Sequence, residues 1–232
     1  MTAQNKFRSV EELINKTEPG WDFVMEWISN AKNKVEVLPT DSAKADDALY
    51  KTQVTTRSPM GAIIYSTGGI LIDNGWIRIL GSGCSQLSRS LPDWNKGKTI
   101  EVFGESPSFL LVADDVIGGF FAINGGGLGE DVGMLYYLSP DNLSWESLEI
   151  TYSDFLNFCF NGDLEDFYLG LRWNDWKKDI SKIQGDEAYS FYPFLWTKQG
   201  KDINAISRKP VPVDELYRLM IDFQTQLDIP RT

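Results

Sequence analysis

The segment Ala-Asp-Asp-Val-Ile-Gly-Gly-Phe-Phe-Ala-Ile-Asn-Gly-Gly-Gly-Leu-Gly at 113–129 places paired carboxylates, an apolar run and a glycine cluster within one short stretch. Residues 109–112 before it and 134–138 after it are apolar and β-prone, the pattern of neighbouring strands in one sheet. Glycines at the turns let the backbone pass where a Cβ would clash. A chain with this centre has to build a sheet of tightly connected strands.

Further runs extend that expectation. Residues 62–65, 69–72 and 76–80 read as β-rich segments separated by Thr67-Gly-Gly69 and Asp73-Asn-Gly75, an antiparallel meander with Asn74-Gly75 as its turn signal. Val35 to Leu38 reads as a short strand closed by Pro39, and 140–146 as a turn that can lead into a short strand. Helices flank the strand block. Ser9-Val-Glu-Glu12 fits a capping box, and Trp21, Val24, Met25 and Ile28 recur at helical spacing, with Trp21 and Trp27 as core anchors. A helical turn is expected at 46–50, a helix after Ser153 as N-cap, another opening at Asp163, and a last one over 213–227. Leu216, Leu219, Met220, Phe223 and Leu227 form its apolar stripe. The expected fold is therefore α+β: one domain over 1–232, with a largely antiparallel sheet of about six strands and helices from both chain ends packed against it.

Charge narrows the partners. The 232 residues carry a formal net charge of −11, which repels phosphate backbones and anionic lipid, so nucleic acid and membrane are not expected partners and a basic protein is. No apolar run reaches membrane-spanning length, and the opening Met-Thr-Ala-Gln-Asn-Lys-Phe-Arg lacks the apolar stretch of a signal peptide, which reads as cytoplasmic. Cys84 and Cys159 are too few for a disulfide framework or a metal knuckle. Histidine is absent, which removes His-assisted triads and most zinc sites.

The candidate chemical motifs are each incomplete. The glycines at 125–129 run on into Glu130-Asp131 where a phosphate loop would supply Lys and Ser or Thr. Asp114 and Asp115 are adjacent on a strand, so they face opposite sides and cannot form a close acid–base pair; with Glu130 and Asp131 they match no known calcium loop. Ser82, Ser85 and Cys84 lack a nearby base. The rings of Trp145, Tyr152, Phe167, Tyr168, Trp173 and Trp176, mixed with carboxylates, leave a carbohydrate platform or a carboxylate-dependent hydrolase as the alternative to core packing. Catalytic residues, metal and cofactor are accordingly assigned as none.

The runs Thr56-Arg-Ser-Pro-Met-Gly-Ala62, Gly75-Trp-Ile-Arg-Ile-Leu-Gly-Ser-Gly83, 113–126, Pro140-Asp-Asn-Leu-Ser-Trp-Glu146 and Phe167-Tyr-Leu-Gly-Leu-Arg-Trp173 resemble the bacterial domain-of-unknown-function family numbered 2625. That family in turn is distantly similar to the SUKH superfamily, whose members carry an aspartate- and glycine-rich segment in an α+β fold. The SUKH resemblance implies a non-enzymatic binding module, with an immunity protein that occludes a basic toxin as the specific expectation. Asp114, Glu130, Trp145 and Trp176 are the residues expected to meet the partner.

Overall fold

The first helix starts where the capping box says it does. In the computed structural model, which describes residues 7–229, the Ser9 hydroxyl accepts from the Glu12 amide while the Glu12 carboxylate accepts from the Ser9 amide at 2.7 Å, opening α1 (Val10–Leu13). Residues 1–6, part of the stretch read for a signal peptide, and the last three residues of the expected domain lie outside the described residues. Next come α2 (Gly20–Ser29), β1 (Val35–Leu38) and α3 (Ser42–Thr52), the last of these longer than the expected turn. On α2, Val24 is buried while Trp21 and Trp27 are half-buried against the core and Met25 is exposed, so this helix covers the core with one narrow stripe.

The run at 62–65 is not a strand. It lies in α4 (Pro59–Ser66), whose N-cap Ser58 accepts from the Gly61 amide at 3.1 Å, with Pro59 preset for the first helical position. A short apolar run reads alike as buried helix or buried strand, and here packing against α2 and α3 selects the helix that the Ser-Pro start permits. Gly61 sits against the Thr55 carbonyl with no room for a Cβ.

From there the chain forms β2 (Gly69–Ile72) and β3 (Ile77–Leu80), then the unanticipated α5 (Leu91–Asn95), then β4 (Phe109–Asp115), β5 (Phe120–Asn124), β6 (Leu135–Leu138) and β7 (Trp145–Ser147). Seven strands pair antiparallel in simple sequence order from β1 to β7, one more than the expected six. The β3–β4 register ends at Ile79 and Ala113, leaving Leu111 beyond it, and the buried Asn95 side chain takes over there. Its amide donates to the Leu111 carbonyl at 2.8 Å and accepts from the Leu111 N–H at 2.9 Å, satisfying a buried stretch of backbone.

The C-terminal half adds α6 (Tyr152–Asn161), α7 (Leu164–Phe167), α8 (Trp176–Ile180), β8 (Glu187–Tyr192), β9 (Ser207–Pro212) and α9 (Val213–Gln226). Thr151, not Ser153, caps α6, because Asp154 three residues on completes a capping box. β8 and β9 form a separate two-stranded sheet that the sequence reading missed; Pro210 and Pro212 argue against a strand, yet a strand with one free edge tolerates them.

Phe120 and Phe121, neighbours on β5, show how the main sheet is covered. Phe120 meets Trp94 of α5 and, at 5.0 Å, Tyr217 of α9; Phe121 meets Phe155 of α6 at 4.8 Å and Tyr137 at 4.6 Å. Successive strand residues project to opposite faces, so each face carries an aromatic layer. α2 packs on α4 and α6, and α9 on β8 and β9. Phe121 is fully buried, so truncating Phe121→Ala is expected to lower stability by about 3–5 kcal/mol. Urea unfolding would show a lower midpoint at unchanged slope; an unchanged midpoint would refute this packing.

Candidate functional site

The adjacent aspartates at the end of β4 organise the centre of the molecule, and they do face opposite ways. Asp114 pairs across the strands with Arg78, whose guanidinium also donates to the Asp115 carbonyl at 2.9 Å and to the Glu187 carbonyl of β8. The second Asp114 oxygen takes Arg89, which reaches on to Asp186 at 2.9 Å and to the Gly185 carbonyl at 2.8 Å. Asp114 has no exposed surface, and the Arg78 and Arg89 side chains are 2 % and 11 % exposed. Burial pulls Arg78 below its ordinary pKa, whereas for Arg89 two carboxylates outweigh the same burial and raise it. Burial also opposes ionisation of Asp186, but bonds from Ser88 and Arg89 bring its carboxyl below the usual range. The cluster is a closed ion network with no open coordination position.

Asp115, on the other face, closes the β4–β5 turn. One carboxylate oxygen accepts from the Ile117 and Gly119 amides at 3.1 and 2.7 Å, the other from the Tyr137 and Tyr168 hydroxyls at 2.7 and 3.1 Å. Desolvation outweighs these donors and raises its pKa. The Tyr137 and Tyr168 hydroxyls are in turn pushed well up by burial and by Asp115. Gly119 is required here, because an added Cβ would meet the Tyr137 hydroxyl at 2.3 Å. With Asp115 fully enclosed, no substrate reaches either aspartate.

The glycine loop spends its donors internally. The Gly126 and Leu128 amides donate to the Asn124 side chain at 2.7 and 3.0 Å, and those of Gly125 and Gly127 to the Ser108 carbonyl. Asp131 holds the other end of the loop through Tyr136 and through Ser147 at 2.7 Å, and these bonds keep its carboxyl below the usual range. A phosphate would find these amides already occupied. Among the described residues there is no cluster of His, Cys, Asp and Glu that could hold a metal ion.

The four residues expected to meet a partner lie on different elements. Asp114 is enclosed as described, and Trp145 is buried on Phe109, its indole N–H without a partner. Trp176 is buried edge-to-face against Trp76 at 4.9 Å. Glu130 is the exposed member of the set. The rings considered for a sugar platform are spent in the same way: Trp173 meets Trp76, Tyr189 and Phe191, and Tyr168 meets Trp76. Arg172 lies against these rings, 4.8 Å from Trp76 and 4.4 Å from Trp176, with Asp73 at 2.7 Å and Glu165 as its carboxylates. Sequence reading missed Arg78, Arg89 and Arg172 as partners, because no local pattern pairs residues 36 or 25 positions apart. The signal that was available was compositional: an aspartate on an apolar strand needs a buried cation or a ring of donors.

The family model described as "Protein of unknown function DUF2625" matches residues 10–216. The chain is 42 % identical over 222 residues to an uncharacterized protein of Haemophilus influenzae, covering 96 % of this chain and 97 % of that one. It is 43 % identical over 217 residues to the putative uncharacterized protein YbfG of Escherichia coli, covering 91 % and 95 %. The chain therefore belongs to the DUF2625 family, and both of these relatives are bacterial.

Two outcomes test the site. Asp114→Asn leaves Arg78 and Arg89 buried beside a neutral group and is expected to lower unfolding free energy by about 3–5 kcal/mol, whereas Glu130→Gln should change it by less than about 0.5 kcal/mol. Equal effects in urea titrations would overturn the burial argument. For Asp115 the folded pKa lies above the unfolded one, so between the two the native state binds the extra proton and stability falls as pH rises. Asp115→Asn lacks that decline; the stability advantage of the wild type over this variant is expected to shrink from pH 4 to pH 7, and a growing advantage would refute the assignment.

Proposed function

We propose that this DUF2625 family member is a non-enzymatic, cytoplasmic protein-binding module that recognises a basic protein through its acidic surface and acts by occlusion. The sequence-level resemblance to the SUKH superfamily suggests an immunity protein against a basic toxin as the specific form of this reading. One observation carries it: Arg78, Arg89 and Arg172 are turned inward, at 2, 11 and 7 % side-chain exposure, while Glu130, Glu146, Glu149, Glu165 and Asp166 face solvent. The enclosed Asp114 and Asp115 and the largely covered Asp73 offset these arginines, so the net charge of −11 is carried by the exposed groups. Such a field speeds encounter with a basic cleft and disfavours acidic competitors. Support also comes from the enclosure of Asp114 and Asp115, which leaves the paired carboxylates no access to a substrate. Both cysteines are free and buried, which suits a reducing compartment.

The test is affinity capture of tagged protein in lysate of its native bacterium at about 50 and about 200 mM salt, spanning the range over which surface charge is progressively screened. A stoichiometric basic partner, held more weakly at the higher salt, is expected. Absence of any partner at both salts, or capture of an acidic protein insensitive to salt, would overturn the reading.

A further inference from the structure

Leu169, at 79 % exposure, stands out furthest among the large hydrophobic side chains of the described residues. It lies in the turn after α7, and its neighbours are fixed. Tyr168 before it is buried and bonded to Asp115 at 3.1 Å, the Leu169 amide donates to Asp166 at 3.1 Å, and the Leu171 amide donates to Tyr168 at 2.9 Å. Gly170 supplies the left-handed backbone, φ +79°, that turns the chain there. Arg172 clamps the same turn to Glu165 and Asp73. A side chain held this way loses little freedom when it docks.

Beside it is a cleft of about 150 Å³, with Leu169, Leu171 and Leu195 as apolar walls and Asp141 at its polar end. Ser139 fixes one Asp141 oxygen at 2.6 Å. The other faces Lys201, whose ammonium lies 3.5 Å from it and donates to the Asp141 carbonyl at 3.2 Å. The chain thus already seats one cation in this cleft, through a loose pair with the lysine side chain 58 % exposed. Exposed pairs of this kind are weak and readily exchanged. Exposed Asp166 lies in the same turn, its carbonyl accepting from the Leu169 amide.

We propose that this cleft is the docking point for a segment of the basic partner protein: Leu169 enters an apolar socket on the partner, and a partner lysine or arginine displaces Lys201 from Asp141. The inference rests on the protein-binding reading above. It supplies the apolar anchor that steering charge alone lacks, since affinity concentrates in a few packed side chains rather than in rim charges.

Two experiments decide it. Argininamide is titrated into ¹⁵N-labelled full-length protein while the Gly170 and Gly200 amides, both on the cleft wall, are followed. Saturable shifts centred on these residues are expected. Lys201→Met should tighten binding about three- to tenfold by freeing Asp141, Asp141→Asn should remove the shifts, and Lys198→Met, an exposed neighbour, should leave affinity within about twofold. No saturable shift, shifts spread equally over Glu130 and Glu149, or equal effects of the two lysine variants would overturn the proposal. In the capture experiment, Leu169→Asp should lose the partner about tenfold or more, whereas Val132→Asp, an exposed apolar control on the glycine loop, should retain it. Retention by both variants would overturn the cleft while leaving the binding module standing. Failure of the wild type to retain any partner would overturn the binding module, and the argininamide titration would then decide the cation site by itself.

Discussion

The buried pairing of Arg78 with Asp114 is the constraint around which the rest of the molecule is arranged. It joins β3 to β4 across the sheet, and the same guanidinium reaches the backbone of β8, while Arg89 ties the loop before α5 to both Asp114 and the start of the second sheet. Opposite charges withdrawn from water are tolerable only when every donor and acceptor finds a partner. Here four charged side chains and three backbone carbonyls satisfy one another, so the two sheets have one way to meet. Buried pairs of this kind fix geometry more surely than they add stability.

Asp115 complements that network from the other side of the strand. By gathering two turn amides and two tyrosine hydroxyls it closes the β4–β5 turn and also fixes the segment after α7. The cluster of Trp76, Trp176 and Arg172 builds outward from the same region, and the turn that carries Leu169 is framed by Tyr168 and Arg172. The most exposed large apolar side chain among the described residues is thereby connected, through bonded Tyr168, to the buried Asp115. In the proposed function that connection has a physical sense: an exposed hydrophobe is useful for recognition only if it is held still.

The acidic composition was the clearest functional signal in the sequence, and the structure leaves its weight unchanged. Three arginines lie inside, but Asp114, Asp115 and Asp73 lie there with them, so the surface keeps the acidity the residue count implies. Asp114, Trp145 and Trp176, expected to meet a partner, lie buried among cations and rings of the core. Aspartates and tryptophans look alike in sequence whether they face a partner or a core, and the difference is set by cations and rings that arrive from far along the chain.

Local chemistry sufficed for much of the scaffold. The capping box at Ser9, the turn at Asn74-Gly75, the strands on either side of the glycine loop and the amphipathic stripe of the last helix follow from hydrogen-bond capacity and apolar spacing within a few residues. Helix against strand at 62–65, the β8–β9 pair with its prolines and the enclosure of the paired aspartates were decided by tertiary structure. Each of these depends on partners more than a turn away: the backbone against which Gly61 packs, the free edge that excuses Pro210, the arginines that neutralise Asp114. By itself the sequence determined most strands of the main sheet, the first and last helices and that the molecule is acidic. Which of its charges and rings face water was decided only when the chain closed on itself, because burial is a property of the assembled core and not of any one residue.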